Sequence, residues 1–159
     1  MAMRAPMPDD DIDRIMAVMA TAFDPNYNEA WTRAQVLSAL LIGNCHYQLI
    51  AADGTRPDEG ERVAGFALLR TACDEEELLL LAVDPELRRR GLGAKLLDWV
   101  KEDSKTRGIN RILLEMRQDN SAEALYFAQH FERIGRRPNY YRNRNGGCID
   151  AVTFSCTLD

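Results

Sequence analysis

The sequence predicts a mixed α/β (α+β) fold, a central mixed β-sheet flanked by helices, in a single domain over residues 1–159. Three observations carry that prediction. Apolar segments with strand character alternate with segments of helical periodicity along the chain. The strongest strand signal, Leu78-Leu79-Leu80-Leu81-Ala82-Val83, runs into a glycine-containing turn and then a helical pattern. A length of 159 residues, 46% hydrophobic and 28% charged, suits one core with no repeats and no linker.

Residues 1–6 read as a short first strand. Asp9-Asp10-Asp11 supplies cap oxygens and negative charge for a helix through Phe23, with Ile12, Ile15, Met16 and Met19 on one stripe. Asp24-Pro25-Asn26-Tyr27-Asn28 is a loop by composition. Thr32 and Gln35 have capping-box spacing for a second helix ending near Leu41, with Gly43-Asn44 as its stop. Strands are expected at residues 46–52 and 62–71, joined by the polar loop 53–60. Cys73-Asp74-Glu75-Glu76 turns the chain into the central strand. Six consecutive apolar residues there read as buried on both faces, since a half-exposed strand would alternate. Asp84-Pro85 stops it, because proline has no N–H for a ladder. A helix with Leu92, Leu96, Leu97 and Val100 on one face then runs to Arg107-Gly108. Residues 110–116 form another apolar strand, and Asp119 or Asn120 can cap a helix through Gln129. Two last strands, 132–138 and 149–157, flank the turn-rich Asn143-Arg144-Asn145-Gly146-Gly147.

A strand, a basic glycine turn and a helix N-terminus together suit an anion. Unpaired first-turn amides point outward, the helix dipole favours negative charge, and glycines let a ligand approach the backbone. The same residues also suit a plain turn with Arg88 to Arg90 as a solvated charge run. Two familiar phosphate loops are excluded, because the chain has neither Gly-x-Gly-x-x-Gly nor a Gly-Lys-Ser/Thr ending here.

The net charge of −5 argues against a nucleic-acid binder and leaves room for a basic peptide partner. Cys45, Cys73, Cys148 and Cys156 form no CxxC pair; with no signal peptide in view they read as reduced, mostly buried thiols of a cytoplasmic protein. His46 and His130 lie far apart in sequence, so no metal site is expected. No apolar run approaches the length of a membrane span.

The element order and the segment Arg88-Arg89-Arg90-Gly91-Leu92-Gly93 resemble the GCN5-related N-acetyltransferase (GNAT) superfamily, whose pyrophosphate loop reads Arg/Gln-x-x-Gly-x-Gly/Ala. Ala82-Val83-Asp84-Pro85 upstream and Asn120, Leu125-Tyr126 and Phe131 downstream strengthen the match. Within the superfamily the chain is similar to the RimI type, the ribosomal-protein N-terminal alanine acetyltransferases. The similar pieces are Ala22-Phe23 with Trp31-Thr32, Leu114-Glu115-Met116-Arg117, Arg136-Arg137-Pro138-Asn139-Tyr140-Tyr141 and Asp150-Ala151. Two departures stand out. His130 precedes Phe131 where the family usually has glycine, and the stretch from Asn120 to Tyr126 is one residue shorter than usual.

The resemblance implies acetyl-CoA as co-substrate and no metal. It implies that Leu81, Ala82 and Val83 splay from the neighbouring strand and offer backbone groups to the pantetheine arm. Amides from Arg89, Arg90, Gly91, Leu92, Gly93 and Ala94 would hold the pyrophosphate, with Arg88, Arg89 and Arg90 adding charge and Asn120 a further contact. Glu115 interrupts an apolar strand, where an ionisable group needs a partner or a use. It can serve as a structural partner for Arg117 or another arginine; the family pattern makes it the general base. Tyr126 fits a core position, and the resemblance makes it the acid that protonates the departing thiolate. Tyr140 and Tyr141 either wall the peptide site or fill a hydrophobic edge. A free α-amine titrates near 8 and a lysine near 10.4, which favours the α-amine at neutral pH. The resemblance makes the expected acceptor a basic protein N-terminus, that of a ribosomal protein, with Asp74-Glu75-Glu76-Glu77 as a candidate steering surface. A GNAT enzyme with another acceptor, or a non-catalytic domain that binds coenzyme A, remain the alternatives at this stage.

Overall fold

The computed structural model describes residues 9–159, so the strand expected at residues 1–6 lies outside the described residues. Helix α1 (Asp9–Ala22) opens on the acidic triplet, and Arg14 pairs with Asp10 at 3.4 Å and Asp11 at 2.5 Å. Its stripe buries Ile12, Ile15 and Met19, while Met16 packs half-buried beside them. Helix α2 (Arg33–Ile42) begins with the expected reciprocal cap. The Gln35 amide donates to Thr32 Oγ1 at 3.2 Å, and the Thr32 amide donates to Gln35 Oε1 at 2.8 Å. Gly43, at φ +95°, ends the helix in a conformation that strongly favours glycine.

Six strands follow: β1 (Cys45–Ile50), β2 (Gly65–Ala72), β3 (Glu75–Val83), β4 (Arg111–Arg117), β5 (Glu132–Arg142) and β6 (Cys148–Thr157). Helix α3 (Leu92–Thr106) joins β3 to β4, and α4 (Glu123–Ala128) joins β4 to β5. The strands form one sheet in the order β1-β2-β3-β4-β6-β5. All neighbours are antiparallel except β3 and β4, whose connection crosses over through α3. The expected element order therefore holds from α1 onward.

Helices cover both faces. On one, Ile15, Val18 and Val36 of α1 and α2 meet Phe66 and Leu68 of β2; on the other, Leu97 and Val100 of α3 meet Ala67 and Leu69. Each fully buried Phe or Leu contributes roughly 1.5–3 kcal/mol. Strand β3 departs from uniform burial. Leu68 opposes Leu80 whereas Leu69 opposes Leu78, so Leu79 is an extra residue, a bulge that turns both Leu79 and Leu80 toward the α1 side. Leu78, Leu80 and Ala82 are buried; Leu79, Leu81 and Val83 are half-buried.

The acidic run also differs from expectation. The β2–β3 turn uses only Cys73, at φ +56°, and Asp74, so Glu75 to Glu77 belong to β3. Every carboxylate of the run is partnered. Asp74 accepts from Asn110 at 2.7 Å, Glu75 pairs with Arg111 at 2.5 Å, Glu77 pairs with Arg70 at 2.6 Å, and the fully buried Glu76 binds His46 and Arg107. The run lies at the start of β3, whereas the glycine turn follows its end.

Strand β5 extends past Pro138, because it is the sheet edge and an edge strand tolerates the missing donor. The ladder to β6 is interrupted between Arg137 and Tyr141, and Asn139, at φ +54°, donates its amide to Asp150 Oδ1 at 2.8 Å. All four cysteines are free; Cys45 and Cys156 are buried, Cys73 and Cys148 exposed. Among the described residues, no helix is long and apolar enough to cross a membrane.

Candidate active site

The pairing of β3 with β4 is short: Glu75, Glu76 and Glu77 align with Arg111, Ile112 and Leu113, and no further. Beyond Leu78 and Leu114 the strands part, leaving the backbone of Leu81 to Val83 without a neighbour on the β4 side. This is a wedge-shaped seam in the middle of the sheet. At its wide end stand the end of β3, the end of β4 and the start of α3.

The turn into α3 alternates in backbone hand. Arg89 (φ +64°) and Gly91 (φ +79°) are both left-handed and flank Arg90, an alternation that gathers successive amides into a concavity. No side chain caps α3, so its first-turn amides have no competitor there. Gly93 is needed for closeness, since a Cβ at that position would lie 3.1 Å from Leu125 Cδ2 of α4. Arg88 faces elsewhere: Nη2 donates to Ala22 O at 2.7 Å and Nε to Val83 O at 3.3 Å, tying the end of α1 to the end of β3.

Glu115 does not interrupt a buried strand. On β4, Ile112, Leu114 and Met116 are buried, while Arg111, Leu113, Glu115 and Arg117 form the half-buried face. Glu115 accepts from Thr153 Oγ1 at 3.4 Å and pairs with Arg137 Nε at 3.2 Å. Arg117 is not its partner, because that guanidinium bonds Glu29 at 2.7 Å and Asp119 at 2.8 Å.

Tyr126 lies on the other side. Its ring packs edge-on to Phe131 (centroids 5.6 Å) and tilted to Phe154 (6.1 Å), in the cluster that holds Leu114 and Met116. Burial pushes its phenol far above the usual range, so it stays protonated at any working pH. Its neighbour Leu125 abuts Gly93, which places Tyr126 beside the first turn of α3. Helix α4 is shorter than expected, six residues. His130, standing where the family has glycine, adopts φ +68° and lets the Phe131 amide reach Tyr126 O at 2.9 Å. Neither Asp119 nor Asn120 caps α4, which starts only at Glu123 and has no side-chain cap; Asn120 Oδ1 instead accepts from the Ala122 amide at 2.9 Å in the turn before the helix, which leaves Nδ2 to donate elsewhere.

Glu115 and Tyr126 thus sit on opposite faces of the sheet, Glu115 beyond the last paired residue of β4 and Tyr126 in the core under α4. On the Glu115 face the structure adds residues that spacing did not indicate. Glu29, between α1 and α2, is gripped by Arg117, which also lies 3.8 Å from the centroid of the Tyr27 ring. Tyr27 Oη donates to Asp119 at 3.4 Å. Tyr141 is half-buried, and burial, followed by the charges of Glu29 and Glu115, pushes its hydroxyl up to about 12. Tyr140 is about half exposed, stacked edge-on with Tyr141 at 5.1 Å. The signals that pointed this way were Arg117, two residues from Glu115 on the same face of a strand, and the Tyr140-Tyr141 pair; nothing local pointed to Glu29 or Tyr27. Among the described residues no group of His, Cys, Asp and Glu is arranged to hold a metal. A cleft of about 620 Å³ lined by His46, Thr71 and Arg107 lies at the other end of the sheet.

A family model described as the acetyltransferase (GNAT) family matches residues 12–131. The chain is 40% identical over 87 residues to the [ribosomal protein bS18]-alanine N-acetyltransferase of Salmonella typhimurium, an alignment covering 54% of this chain and 59% of that protein. It is 35% identical over 100 residues to the protein of the same name from Haemophilus influenzae, covering 63% and 68% respectively. The chain therefore spans between about three fifths and two thirds of these relatives. The crystal structure of the ribosomal-protein-S18-alanine N-acetyltransferase from Escherichia coli superimposes with a TM-score of 0.79 at 26% identity, covering 96% of this chain and 91% of that one.

Proposed function

The chain belongs to the acetyltransferase (GNAT) family, and on that premise we propose that it moves the acetyl group of acetyl-CoA to a protein N-terminal α-amine, the N-terminal alanine of ribosomal protein bS18. The observation that carries the chemistry is the seam, with a carboxylate on one face, a protonated phenol on the other and an anion cradle at its mouth. The acceptor follows from the relatives' names. An enzyme with that acceptor works in the cytoplasm, where ribosomes are.

The residues present fit acetyl-CoA, which supplies an acetyl group activated as a thioester. Amides of Arg89 to Ala94 would hold the pyrophosphate against the α3 dipole. Backbone groups of Leu81, Ala82 and Val83 that face the seam would pair with the pantetheine amides, and Asn120 Nδ2 would donate to the coenzyme. Glu115 takes one proton from the α-ammonium to free its lone pair, the neutral amine attacks the thioester carbonyl to form the N–C bond, and the second nitrogen proton replaces the one that Tyr126 gives up. Tyr126 Oη donates a proton to the sulfur as the C–S bond breaks. Burial suits Tyr126 to this task by keeping the proton on until a basic thiolate develops. A carboxylate base is adequate for an α-amine, whose ordinary pKa is near 8, and poorly matched to a lysine near 10.4.

The test is mass spectrometry of the purified protein with acetyl-CoA and two peptides, one with an N-terminal alanine, the other blocked at its N-terminus but carrying lysines. Acetylation of the free α-amine alone is the expected result; lysine labelling, or no turnover at all, would refute the reading. Glu115→Gln should lower kcat by about 10²–10⁴-fold with an unchanged Kd for acetyl-CoA.

A further inference from the structure

Glu29 has no part in the proton transfers just described, yet it is held in a way that a loop residue does not need. Its stretch of chain lies between two helices with solvent at hand, but its side chain is only 16% exposed. Burial raises its carboxyl above the ordinary value, and the adjacent Arg117 opposes that shift only in part. Arg117 Nε bonds one oxygen at 2.7 Å while Nη1 reaches Asp119 at 2.8 Å, so one guanidinium serves two carboxylates. The Tyr27 ring under that guanidinium, and its hydroxyl on Asp119, pin the same loop to the end of β4.

Arg117 and Glu115 share the half-buried face of β4, and residues two apart on a strand face stand roughly 7 Å from each other. Tyr141 comes in from β5 and lies within the influence of both Glu29 and Glu115. Glu115, Glu29 and Asp119 oppose two arginines, Arg137 and Arg117, which leaves this side of the seam one negative charge in excess. An ionised carboxylate has about four lone-pair positions, so a single bond from Arg117 leaves Glu29 able to accept more.

From this geometry, and resting on the acceptor proposed above, we infer that Glu29 is a specificity-determining residue that binds the acceptor's α-ammonium group while Glu115 removes its proton. At neutral pH most α-amines arrive protonated. A cation that must surrender a proton to Glu115 needs a second carboxylate to hold it during the transfer. Glu29 then acts on binding and Glu115 on rate. Acceptors with a charged chain start are selected over blocked or neutral ones.

The experiment uses two fluorescent peptides of the same sequence, one beginning with alanine and the other with a propionyl group that lacks only the amine. Their Kd values are measured by anisotropy on the full chain saturated with coenzyme A. Wild type should favour the amine by about 10- to 100-fold, the range of a charge-assisted hydrogen bond. Glu29→Gln should abolish that preference, leave the propionyl peptide's Kd unchanged and raise KM with kcat largely kept. Glu29→Asp should keep part of the preference, and Glu115→Gln all of it. A preference that survives in Glu29→Gln overturns the inference. So does an equal weakening of both peptides, which marks a structural role, and so does a loss confined to kcat. Turnover of the alanyl peptide by wild type is read in parallel. Its absence removes the acceptor reading and this assignment together, whereas turnover with the preference intact in Glu29→Gln removes the assignment alone.

Discussion

Glu76 offers the sharpest test of how the sheet is held together. It is fully buried on β3, with His46 Nε2 at 2.5 Å and Arg107 Nη2 at 2.6 Å from one oxygen and the Thr71 hydroxyl donating to the other at 3.1 Å. Arg107 continues to Asp103 at 2.9 Å and to Thr71 Oγ1 at 3.3 Å, so four elements meet in one network. Glu76→Ala removes the shared buried acceptor of His46, Arg107 and Thr71, while Arg107, a third exposed, keeps Asp103. Losing hydrogen bonds to a charged group costs about 1.5–3 kcal/mol. For a chain of this size that lowers Tm by roughly 3–12 °C. Burial alone would push the Glu76 carboxyl up, but hydrogen bonds from His46 and Arg107, and their charge, bring it below its ordinary 4.5. A depressed carboxylate stabilises the fold above its unfolded pKa, and that stabilisation is lost as pH falls through the folded value. Urea unfolding of wild type should therefore weaken as pH drops below about 4.5, and Glu76→Gln should flatten that dependence. Because the network lies at the start of β3, the opposite end of the strand from the glycine turn, kcat measured well below Tm should not change. A Glu76→Ala protein within 1 kcal/mol of wild type, or a Glu76→Gln curve parallel to wild type, would refute the reasoning.

Two backbone substitutions follow from conformations described above. His130→Gly should stabilise the fold by about 0.5–1 kcal/mol, because relief of a left-handed Cβ exceeds the extra chain entropy of glycine. His130→Ala, which keeps a Cβ, should show no such gain in urea unfolding. Gly65→Ala would place a Cβ 2.7 Å from Ala82 O and 3.2 Å from Val83 Cγ2, so β2 must move away from the part of β3 that borders the seam. It should cost about 1–3 kcal/mol and raise KM for acetyl-CoA, measured by urea unfolding and initial rates.

Much of the fold was legible because local signals agreed with the global one. The Thr32–Gln35 cap, the Gly108 stop and the strand-turn-helix around Gly91 each occur as read, since each depends on neighbours within a few residues. The face of β4 was misjudged although the alternation from Arg111 to Arg117 was visible; the run Ile112-Leu113-Leu114 outweighed it. The start of β3 was misplaced because three consecutive glutamates look unfit for a strand. Their partners Arg70, Arg107, Arg111 and His46 come from distant positions that no local pattern reveals. Glu29 escaped notice for the same reason, for what gives it meaning is Arg117, 88 residues away. The glycine turn, by contrast, carries its own geometry.

The short ladder between β3 and β4 divides the sheet into two antiparallel halves, each made from a nearly continuous piece of chain. Strands β1 to β3 fall within residues 45–83 and β4 to β6 within residues 111–157. Within each half the pairing is mostly between consecutive strands and closes short loops, which is rapid. Joining the halves requires α3 to bridge them, and only three residues of β3 then meet β4. In folding terms the junction is where long-range order is established, and in the native protein it is where the sheet parts most readily. Thermal breathing of this chain is thereby concentrated along one line, and the opening the substrates need coincides with it.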